Sequence, residues 1–435
     1  MKLEYVTILL LLIIGVMVGK IQKTYLNFIS VFCFFWTFIV FLASLRLYGM
    51  MEYSNTPFFL ILVGTMGMLT GYIVRFYGKI PHIRIKKSNY SAVESYNDKL
   101  IYAVSIICIA FYLFELIRVL QLLGSGTSYY FVRRMYQGYE ENAFFSSSIE
   151  SYFSSYIAVP CEYALCSYLV IMLFKKDRNK KTFFLAFCAV ALYLVVSASR
   201  FIFLQLLVGS VYLFLFLKKK ITRRTKKWIK RVSLLLIIGV IAFTLLRENR
   251  TSNGSRYDWT LFQSVYSYFS VSIPLMDHWV SYIDVSGYQA NGLVFLRPLL
   301  SLFTLCVLHP LGIEFNGLNE AINRINIVEE FVQVFPRHQY NAFASMFYYF
   351  YLDFKWIGVF IGGVFWGWIC ANVFKNVKRE ASDKNLAFVL VIMQAMFKTM
   401  VRWEFSAPSF FMTCVLTFFL FGGKRLNDIQ EREKA

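Results

Sequence analysis

The feature of this sequence that most limits its fold is a series of apolar stretches, each suited to crossing about 30 Å of hydrocarbon as a helix. Eleven of them follow one another, near residues 5–19, 25–45, 57–77, 100–122, 152–174, 182–198, 201–217, 232–246, 355–374, 386–402 and 407–422. A backbone inside a bilayer must satisfy its own hydrogen bonds, and helices do so. We therefore expect an all-α, polytopic integral membrane protein with about eleven transmembrane helices, within a range of about 10 to 12.

Composition supports this prediction and leaves one question open. Of the 435 residues, 58% are hydrophobic, 19% are aromatic and only 16% are charged, which excludes a soluble, disordered or collagen-like chain. The net charge is nevertheless +20. Such a charge would indicate nucleic-acid binding if it lay on one soluble face. The position of the charges along the chain therefore decides their meaning.

Most of the positive charge lies in a few connections between apolar stretches. These connections are the loop at 75–99, the run KKDRNKK at 175–181 and the run KKKITRRTKKWIKR at 218–231, with weaker basic segments at 375–384 and after Gly423. The positive-inside rule places them in the cytoplasm. With eleven spans, the N-terminus is then outside and the C-terminus cytoplasmic. No cleavage site follows the first apolar run, so we interpret it as a retained helix.

This topology leaves one large external segment at 247–340 and a smaller one at about 124–151. Within the large segment, the apolar stretch 293–311 is interrupted by Arg297, Pro298, His309 and Pro310. We therefore predict a re-entrant or interfacial piece there rather than a span. No internal repeat, linker or soluble domain is visible, so residues 1–435 are interpreted as a single transmembrane domain.

The basic residues of the outer face are almost all arginine. They are Arg46, Arg133, Arg134, Arg200, Arg247, Arg250, Arg256, Arg297, Arg324, Arg337 and Arg402, whereas the outer lysines are Lys2, Lys355 and Lys398. Part of this asymmetry reflects the bias against lysine outside. Arginine also offers a planar fork of donors matched to phosphate oxygens. We therefore predict an anionic, phosphate-bearing ligand at the outer leaflet.

Some arginines are stronger candidates for that ligand than others. Arg200 follows Ser-Ala-Ser at a tight hairpin, where snorkelling to the interface is the alternative explanation. Arg402 lies four residues after Lys398, so we expect both cations on one face near the outer end of a span, facing an anion. Arg250 and Arg256 belong to RENRTSNGSR, which a solvated juxtamembrane face also explains.

Two external residues are candidate bases. His338 follows Arg337 where the chain re-enters the membrane, and its ordinary pKa of about 6.5 suits a base, although an ordinary surface residue is the alternative. Glu404 is either a base or the counter-ion of its neighbouring cations. His278, His309, Asp258, Glu329 and Glu330 are weaker candidates. No DxD, HExxH, GxSxG, Walker or GxGxxG motif is present, so we expect no metal and no cofactor. The eight cysteines lie in apolar runs and are interpreted as small buried residues.

Three segments carry a resemblance to a known family: SASRFIFLQLL at 197–207, RHQYNAFASMFYYFYLDFKWIGVFIGG at 337–363 and VRWEFSAPSFF at 401–411. In the second, Asn341 leads to an aromatic-Asp-Phe step at Tyr351, Asp353 and Phe354, and then to the spaced glycines Gly358 and Gly362. With the late external loop, this layout resembles the bacterial Wzy-type oligosaccharide repeat-unit polymerases and, more distantly, the O-antigen ligases. The chain departs from the RX10G pattern of some members, because no external arginine has glycine eleven places on.

The resemblance implies a metal-independent glycosyltransferase in the bacterial plasma membrane, with a fold similar to polytopic lipid-dependent glycosyltransferases. It would join undecaprenyl-pyrophosphate-linked repeat units into O-antigen, capsule or exopolysaccharide, alongside a flippase and a chain-length regulator. Arg200, Arg250, Arg256, Arg337, Lys398 and Arg402 would then bind pyrophosphate, and His338 or Glu404 would deprotonate the acceptor. The lysine-rich charge is cytoplasmic, so no nucleic acid is expected.

Three alternatives stay open. A ligase would move the finished glycan to another acceptor and differs little in sequence. A lipid-linked oligosaccharide flippase or other transporter would place its charges near the bilayer midplane and keep its loops short. A polytopic monosaccharide transferase would need a carboxylate in the first external loop, where only Glu52 is found.

Overall fold

The computed structural model describes residues 2–78, 96–136, 138, 144–175, 178–197, 201–217, 230, 231, 234, 238, 260–336 and 338–422. In this part of the chain the structure is almost entirely helical, with one two-stranded sheet. The chain divides into two compact units. Unit 1 comprises Met1–His82, Ser255–Arg379 and Ala395–Phe411, and unit 2 comprises Ile83–Gly254, Glu380–Gln394 and Met412–Ala435.

Unit 1 is built from long helices, a small sheet and short helical turns. Its α-helices are α1 (Leu3–Gln22), α2 (Phe28–Ser44), α3 (Thr56–Tyr77), α10 (Leu261–Ser270), α11 (Ser272–Ser286), α12 (Leu293–Phe303), α13 (Asn316–Asn326) and α14 (Ser345–Arg379). A π-helical turn at Thr304–Leu308 and a 3₁₀ turn at His309–Leu311 extend α12, and further 3₁₀ turns cover Leu47–Gly49, Ile327–Glu329 and Glu404–Ser406. Strands β1 (Val332–Phe335) and β2 (His338–Tyr340) pair antiparallel.

Unit 2 is a separate helical bundle. It contains α4 (Asp98–Gly124), α5 (Tyr129–Tyr136), α6 (Ser148–Phe153), a π-helical turn (Ser154–Ala158), α7 (Val159–Leu173), α8 (Lys180–Ser197) and α9 (Phe201–Leu217). Helix α4 packs along α8, and α7 packs against both α8 and α9. Helices α15 (Asp383–Lys398) and α16 (Pro408–Leu420) each contribute residues to both units.

The predicted helices agree closely with those observed. Ten of the eleven apolar stretches coincide with helices, and the remaining one, 232–246, falls almost entirely outside the described residues. Within the described ranges, seven helical runs are long and apolar enough to cross a membrane: Leu3–Gln22, Thr56–Tyr77, Asp98–Gly124, Ser148–Leu173, Lys180–Ser197, Leu293–Leu311 and Ser345–Arg379. The chain is therefore an all-α protein with the helices of a multi-pass membrane protein. The re-entrant assignment of 293–311 stays a prediction, since this run is one of the seven.

Helices α3 and α14 approach each other closely because glycines line their contact. A methyl group at Gly67 would overlap the carbonyl oxygen of Phe360, and one at Gly71 would overlap that of Val364. Gly363 and Gly367 of α14 meet backbone carbonyls of α3 in the same way. Both helices thus carry glycines four residues apart, the spacing with which membrane helices bring their backbones into contact.

Helix α14 folds back on itself near its start. Phe354 and Lys355 leave helical geometry, and Lys355 has φ 52° and ψ −135°. As a result, Phe350 contacts both Gly358 and Gly362. A straight helix would hold these pairs about 12 Å and about 18 Å apart along its axis. The segment Ser345–Asp353 is therefore a short helix packed against the longer remainder of α14.

The cysteines are free thiols, and most of them fit the predicted role. Cys33, Cys108, Cys161, Cys166 and Cys370 are buried, Cys188 and Cys414 are half-buried, and Cys306 is exposed. The interpretation as small buried residues therefore holds for five of the eight and is wrong for Cys306, which lies on the outward face of the π-helical turn after α12.

Candidate functional site

Three predicted site residues converge where α15 ends in unit 1. The helix ends at Lys398, and the amides of Val401 and Arg402 both donate to the Lys398 carbonyl, at 2.8 and 2.9 Å. Arg402 therefore lies just beyond the end of the helix, in the turn that follows Lys398. The tight turn nevertheless directs both cations to Glu404.

The Glu404 carboxylate lies between the two cations. Its Oε1 accepts a 2.6 Å hydrogen bond from Arg402 Nε, and its Oε2 accepts a 2.8 Å hydrogen bond from Lys398 Nζ. The glutamate and lysine side chains are only 2% and 11% exposed, whereas the Arg402 side chain is 41% exposed. Charge-assisted bonds of this length are strong when they are shielded from water. The carboxylate therefore fixes the orientation of a guanidinium that reaches the surface.

The electrostatics of Glu404 follow from this geometry. Burial alone would raise the pKa of the carboxyl, but the charges of Arg402 and Lys398 and their hydrogen bonds outweigh burial and lower the pKa to about 2. A carboxylate with so low a pKa is ionised throughout the physiological range and is a weak base. The arrangement is that of a counter-ion, the second of the two roles considered for this residue, while its catalytic role stays a prediction.

More charged groups surround the same place. Tyr349, buried in α14, lies within Coulomb range of Arg402 and Glu404, and also of Arg297 and Glu329. Arg297 belongs to α12, and Glu329 ends the 3₁₀ turn before β1. We name Arg297, Lys398, Arg402 and Glu404 the arginine cluster. Together with Glu329 it comprises three cations and two carboxylates, so its net charge stays positive and suits an anionic ligand.

Aromatic residues pack together in the turn that carries the arginine cluster. Trp403, between Arg402 and Glu404, is 2% exposed, and its ring centroid lies 4.8 Å from that of Phe350 and 5.4 Å from that of Trp366. Aromatic packing of this kind contributes stability beyond the area that it buries. The turn that carries the cations is therefore fixed by packing as well as by charge.

Asp353 positions the helix that carries Arg297. Its Oδ1 accepts from the amides of Gly292 and Val294 at 2.9 and 3.0 Å, and its Oδ2 accepts from that of Phe295 at 2.9 Å. These amides begin α12, whose own N-cap residue is Gly292 and offers no side-chain acceptor. A carboxylate at a helix N-terminus satisfies these donors and stabilises the helix. Sequence reasoning noted Asp353 only within a motif and missed this role.

His338 lies on β2 and is buried, with 7% exposure. The alternative of an ordinary surface histidine is therefore wrong. From β2 the chain runs through Ala342 and Ser345, whose φ values of 66° are unusual for residues other than glycine. Strained backbone of this kind clusters at functional sites.

Hydrogen bonds connect the segment after His338 to the arginine cluster. The Ser345 amide donates to the Val401 carbonyl at 3.1 Å, and the Met346 amide donates to the Thr399 carbonyl at 2.7 Å. Thr399 also accepts from the Trp36 indole at 3.1 Å. The turn between Lys398 and Arg402 is therefore held by the segment that begins at His338, seven residues before Ser345.

The remaining predicted ligands, Arg200, Arg250, Arg256 and Arg337, lie outside the described residues. Among the residues that the structure does describe, no group of three or more His, Cys, Asp or Glu side chains is placed to hold a metal ion. No protein-family model, curated protein or solved structure matches this chain. Its function must therefore be inferred from its own geometry and sequence.

Proposed function

We propose that this protein is a glycosyltransferase that polymerises undecaprenyl-pyrophosphate-linked oligosaccharide repeat units on the outer face of the bacterial plasma membrane. The observation that carries the proposal is the arginine cluster, in which a buried carboxylate orients the partly exposed guanidinium of Arg402. The sequence resemblance to Wzy-type polymerases, in which 401–411 takes part, points to the same place.

The proposed chemistry needs a stabiliser for a phosphate leaving group. The acceptor hydroxyl oxygen forms a bond to the anomeric carbon of the donor glycan, and the bond from that carbon to the pyrophosphate oxygen breaks. Negative charge grows on the pyrophosphate, and oriented cations that need no reorganisation stabilise it. Arg402, Lys398 and Arg297 supply these cations, and Arg200, Arg250, Arg256 and Arg337 are further proposed ligands.

A base must accept the proton of the acceptor hydroxyl. Because Glu404 is a weak base, we assign this step to His338 and give Glu404 the role of orienting the cations. Both lipid-linked reactants would lie in the bilayer, which converts two encounters into one oriented reaction.

The proposal includes the finer topology predicted from the sequence. Eleven spans within one transmembrane domain, an external N-terminus, a cytoplasmic C-terminus and an external segment at 247–340 together place the arginine cluster on the outer side. A flippase supplying lipid-linked units and a chain-length regulator are the proposed partners.

The test replaces Arg402 in the native host and examines the surface glycan. Arg402→Ala should leave glycan of a single repeat, whereas Arg402→Lys, which keeps the charge but loses the fork, should retain part of the ladder of chain lengths. Insertion of each variant is checked by its amount in the membrane fraction. A full ladder from Arg402→Ala would refute the proposed role of the arginine.

A deletion strain separates the polymerase from its alternatives. Surface glycan capped at one repeat indicates a lost polymerase. No surface glycan, with lipid-linked units accumulating outside, indicates a lost ligase. Units trapped inside indicate a lost flippase, and either of these last two outcomes would overturn the proposal.

A further inference from the structure

Unit 2 buries a carboxyl group that the arginine cluster does not use. Glu162 lies in the first turn of α7 and is 0% exposed. Among the described residues its oxygens meet only the thiol of Cys108, a weak donor, and no described Lys, Arg or His forms an ion pair with it. Burying an ionised carboxylate without a cation costs much free energy, whereas burying the neutral carboxylic acid costs far less.

Among the described residues, the titratable groups shown to interact electrostatically with Glu162 are thiols and phenols. They come from α4 (Cys108 and Tyr112), α5 (Tyr136), α8 (Tyr193) and its own helix (Cys161 and Cys166). Helix α9, which also packs on α7, has no charged residue. None of these groups carries positive charge at neutral pH, so the surroundings stabilise the protonated carboxyl.

A line of polar side chains leads away from this carboxyl along α4. Cys108, Tyr112 and Glu115 are buried at spacings of four and three residues, so they share one helix face. They cover about 10 Å along the helix axis. The phenol of Tyr136, on α5, interacts electrostatically with both Glu162 and Glu115.

The line ends at an ion-paired group near the surface. Arg118 Nη1 donates to Glu150 Oε1 at 2.8 Å and lies 3.5 Å from Glu115 Oε2. The side chains of Arg118 and Glu150 are 17% and 13% exposed, so this end of the line reaches the protein surface, and Glu150 belongs to the predicted external segment 124–151. A π-helical turn, Ser154–Ala158, directly precedes α7, and such turns are frequent at functional sites.

We propose that Glu162 is a proton-binding site inside unit 2, and that Tyr112 and Tyr136 connect it to the aqueous phase at Glu115, Arg118 and Glu150. In the binding step a hydronium ion gives its proton to a carboxylate oxygen of Glu162, and one water molecule leaves. The site belongs to unit 2, whereas the arginine cluster belongs to unit 1, and it does not depend on the glycosyltransferase proposal.

Infrared spectroscopy of the full-length protein in lipid vesicles tests the protonation directly. At about pH 8 an ordinary glutamic acid is ionised, so its carboxylic-acid carbonyl band is absent. The wild-type protein should show such a band, and Glu162→Gln should remove the part due to Glu162, while any remainder belongs to the second buried carboxyl, Glu115. Glu404→Gln is the matched control, because Glu404 is equally buried but ionised, and it should leave the band unchanged. Identical spectra for the wild type and Glu162→Gln would overturn the proposal.

Two further variants keep the test decisive. If Glu162→Gln fails to fold, Glu162→Asp should shift the band rather than remove it, and an unshifted band refutes the assignment. Transfer into D₂O then tests the route. Tyr112→Phe should slow the deuterium shift of the band several-fold, and an unchanged exchange rate would exclude Tyr112 from the path.

Discussion

Oε1 of Glu404 accepts a 2.6 Å hydrogen bond from Nε of Arg402, although the glutamate side chain is only 2% exposed and the arginine side chain is 41% exposed. A buried anion thus holds a surface cation in one orientation. This relationship predicts that Glu404 matters for the stability of the turn as well as for ligand binding.

Replacing Glu404 by Gln should destabilise the protein by about 3 to 5 kcal/mol, because Lys398 is left as a buried charge without its carboxylate. Thermal unfolding in detergent measures this loss. The double variant Lys398→Met with Glu404→Gln should recover part of it, since the uncompensated charge is gone. A double variant as unstable as the sum of the two single ones would contradict the ion-pair explanation.

The same carboxyl predicts a pH dependence. Its folded-state pKa of about 2 lies below the usual value of 4.5, so its contribution is fully present above about pH 4.5 and is lost as the pH falls towards about 2. The lost contribution is about 3 kcal/mol. The gap in melting temperature between the wild type and Glu404→Gln should therefore be constant from about pH 8 to about pH 5 and shrink below that. A difference in melting temperature that becomes smaller as the pH rises would contradict this prediction.

Gly71→Ala should destabilise unit 1 by about 1 to 3 kcal/mol or more. The new methyl group would overlap the backbone carbonyl of Val364, and a backbone atom cannot move aside as the end of a side chain can. Gly124→Ala at the end of α4 is the matched control. No described residue lies within 4 Å of its added carbon, and alanine there should be neutral or slightly stabilising. Melting temperatures of the two variants in detergent compare them directly, and equal values would exclude the close backbone contact.

Asp353→Ala should cost about 2 to 5 kcal/mol, because the amides of Gly292, Val294 and Phe295 lose their acceptor. Asp353→Asn keeps one carbonyl oxygen and should have an intermediate effect. Hydrogen exchange of the first turn of α12 measures the change locally. Equal hydrogen-exchange protection of this turn in the wild type and in both variants would contradict the proposed helix cap.

His338→Gln should abolish polymerisation while leaving the protein folded, if the imidazole accepts the proton of the acceptor hydroxyl. His309→Gln provides the control, since His309 is exposed on the 3₁₀ turn after α12. Chain lengths of the surface glycan are the measurement. Full-length polymer from His338→Gln would remove the histidine from the mechanism.

Much of the fold could be predicted from the sequence because hydrophobic length is a local property. Helix α9 coincides with its predicted stretch, 201–217. The fold-back at Phe354 and Lys355 was not predictable in this way, because it depends on contacts of Phe350 with Gly358 and Gly362 that form only in the folded chain.

The candidate site was predicted in part. Lys398, Arg402 and Glu404 lie within seven residues of the sequence, so all three were predicted as site residues. The structure joins them by hydrogen bonds at a turn rather than along one helix face. Tyr349 and the cap formed by Asp353 were missed, because they arise from packing between distant segments. The sequence did contain one signal for the cap. Helix α12 begins after Gly292, which has no side chain that could cap the helix.

The fold-back of α14 changes how membrane crossings can be counted. The amides of Ala290 and Asn291 donate to the carbonyls of Leu352 and Asp353 at 2.8 and 3.1 Å, so protein rather than water satisfies the backbone where the chain reverses. A reversal of this kind needs no aqueous loop. The segment Ser345–Asp353 covers only about 14 Å of helix, so it is too short to cross the hydrocarbon by itself, and α14 counts as one crossing rather than two.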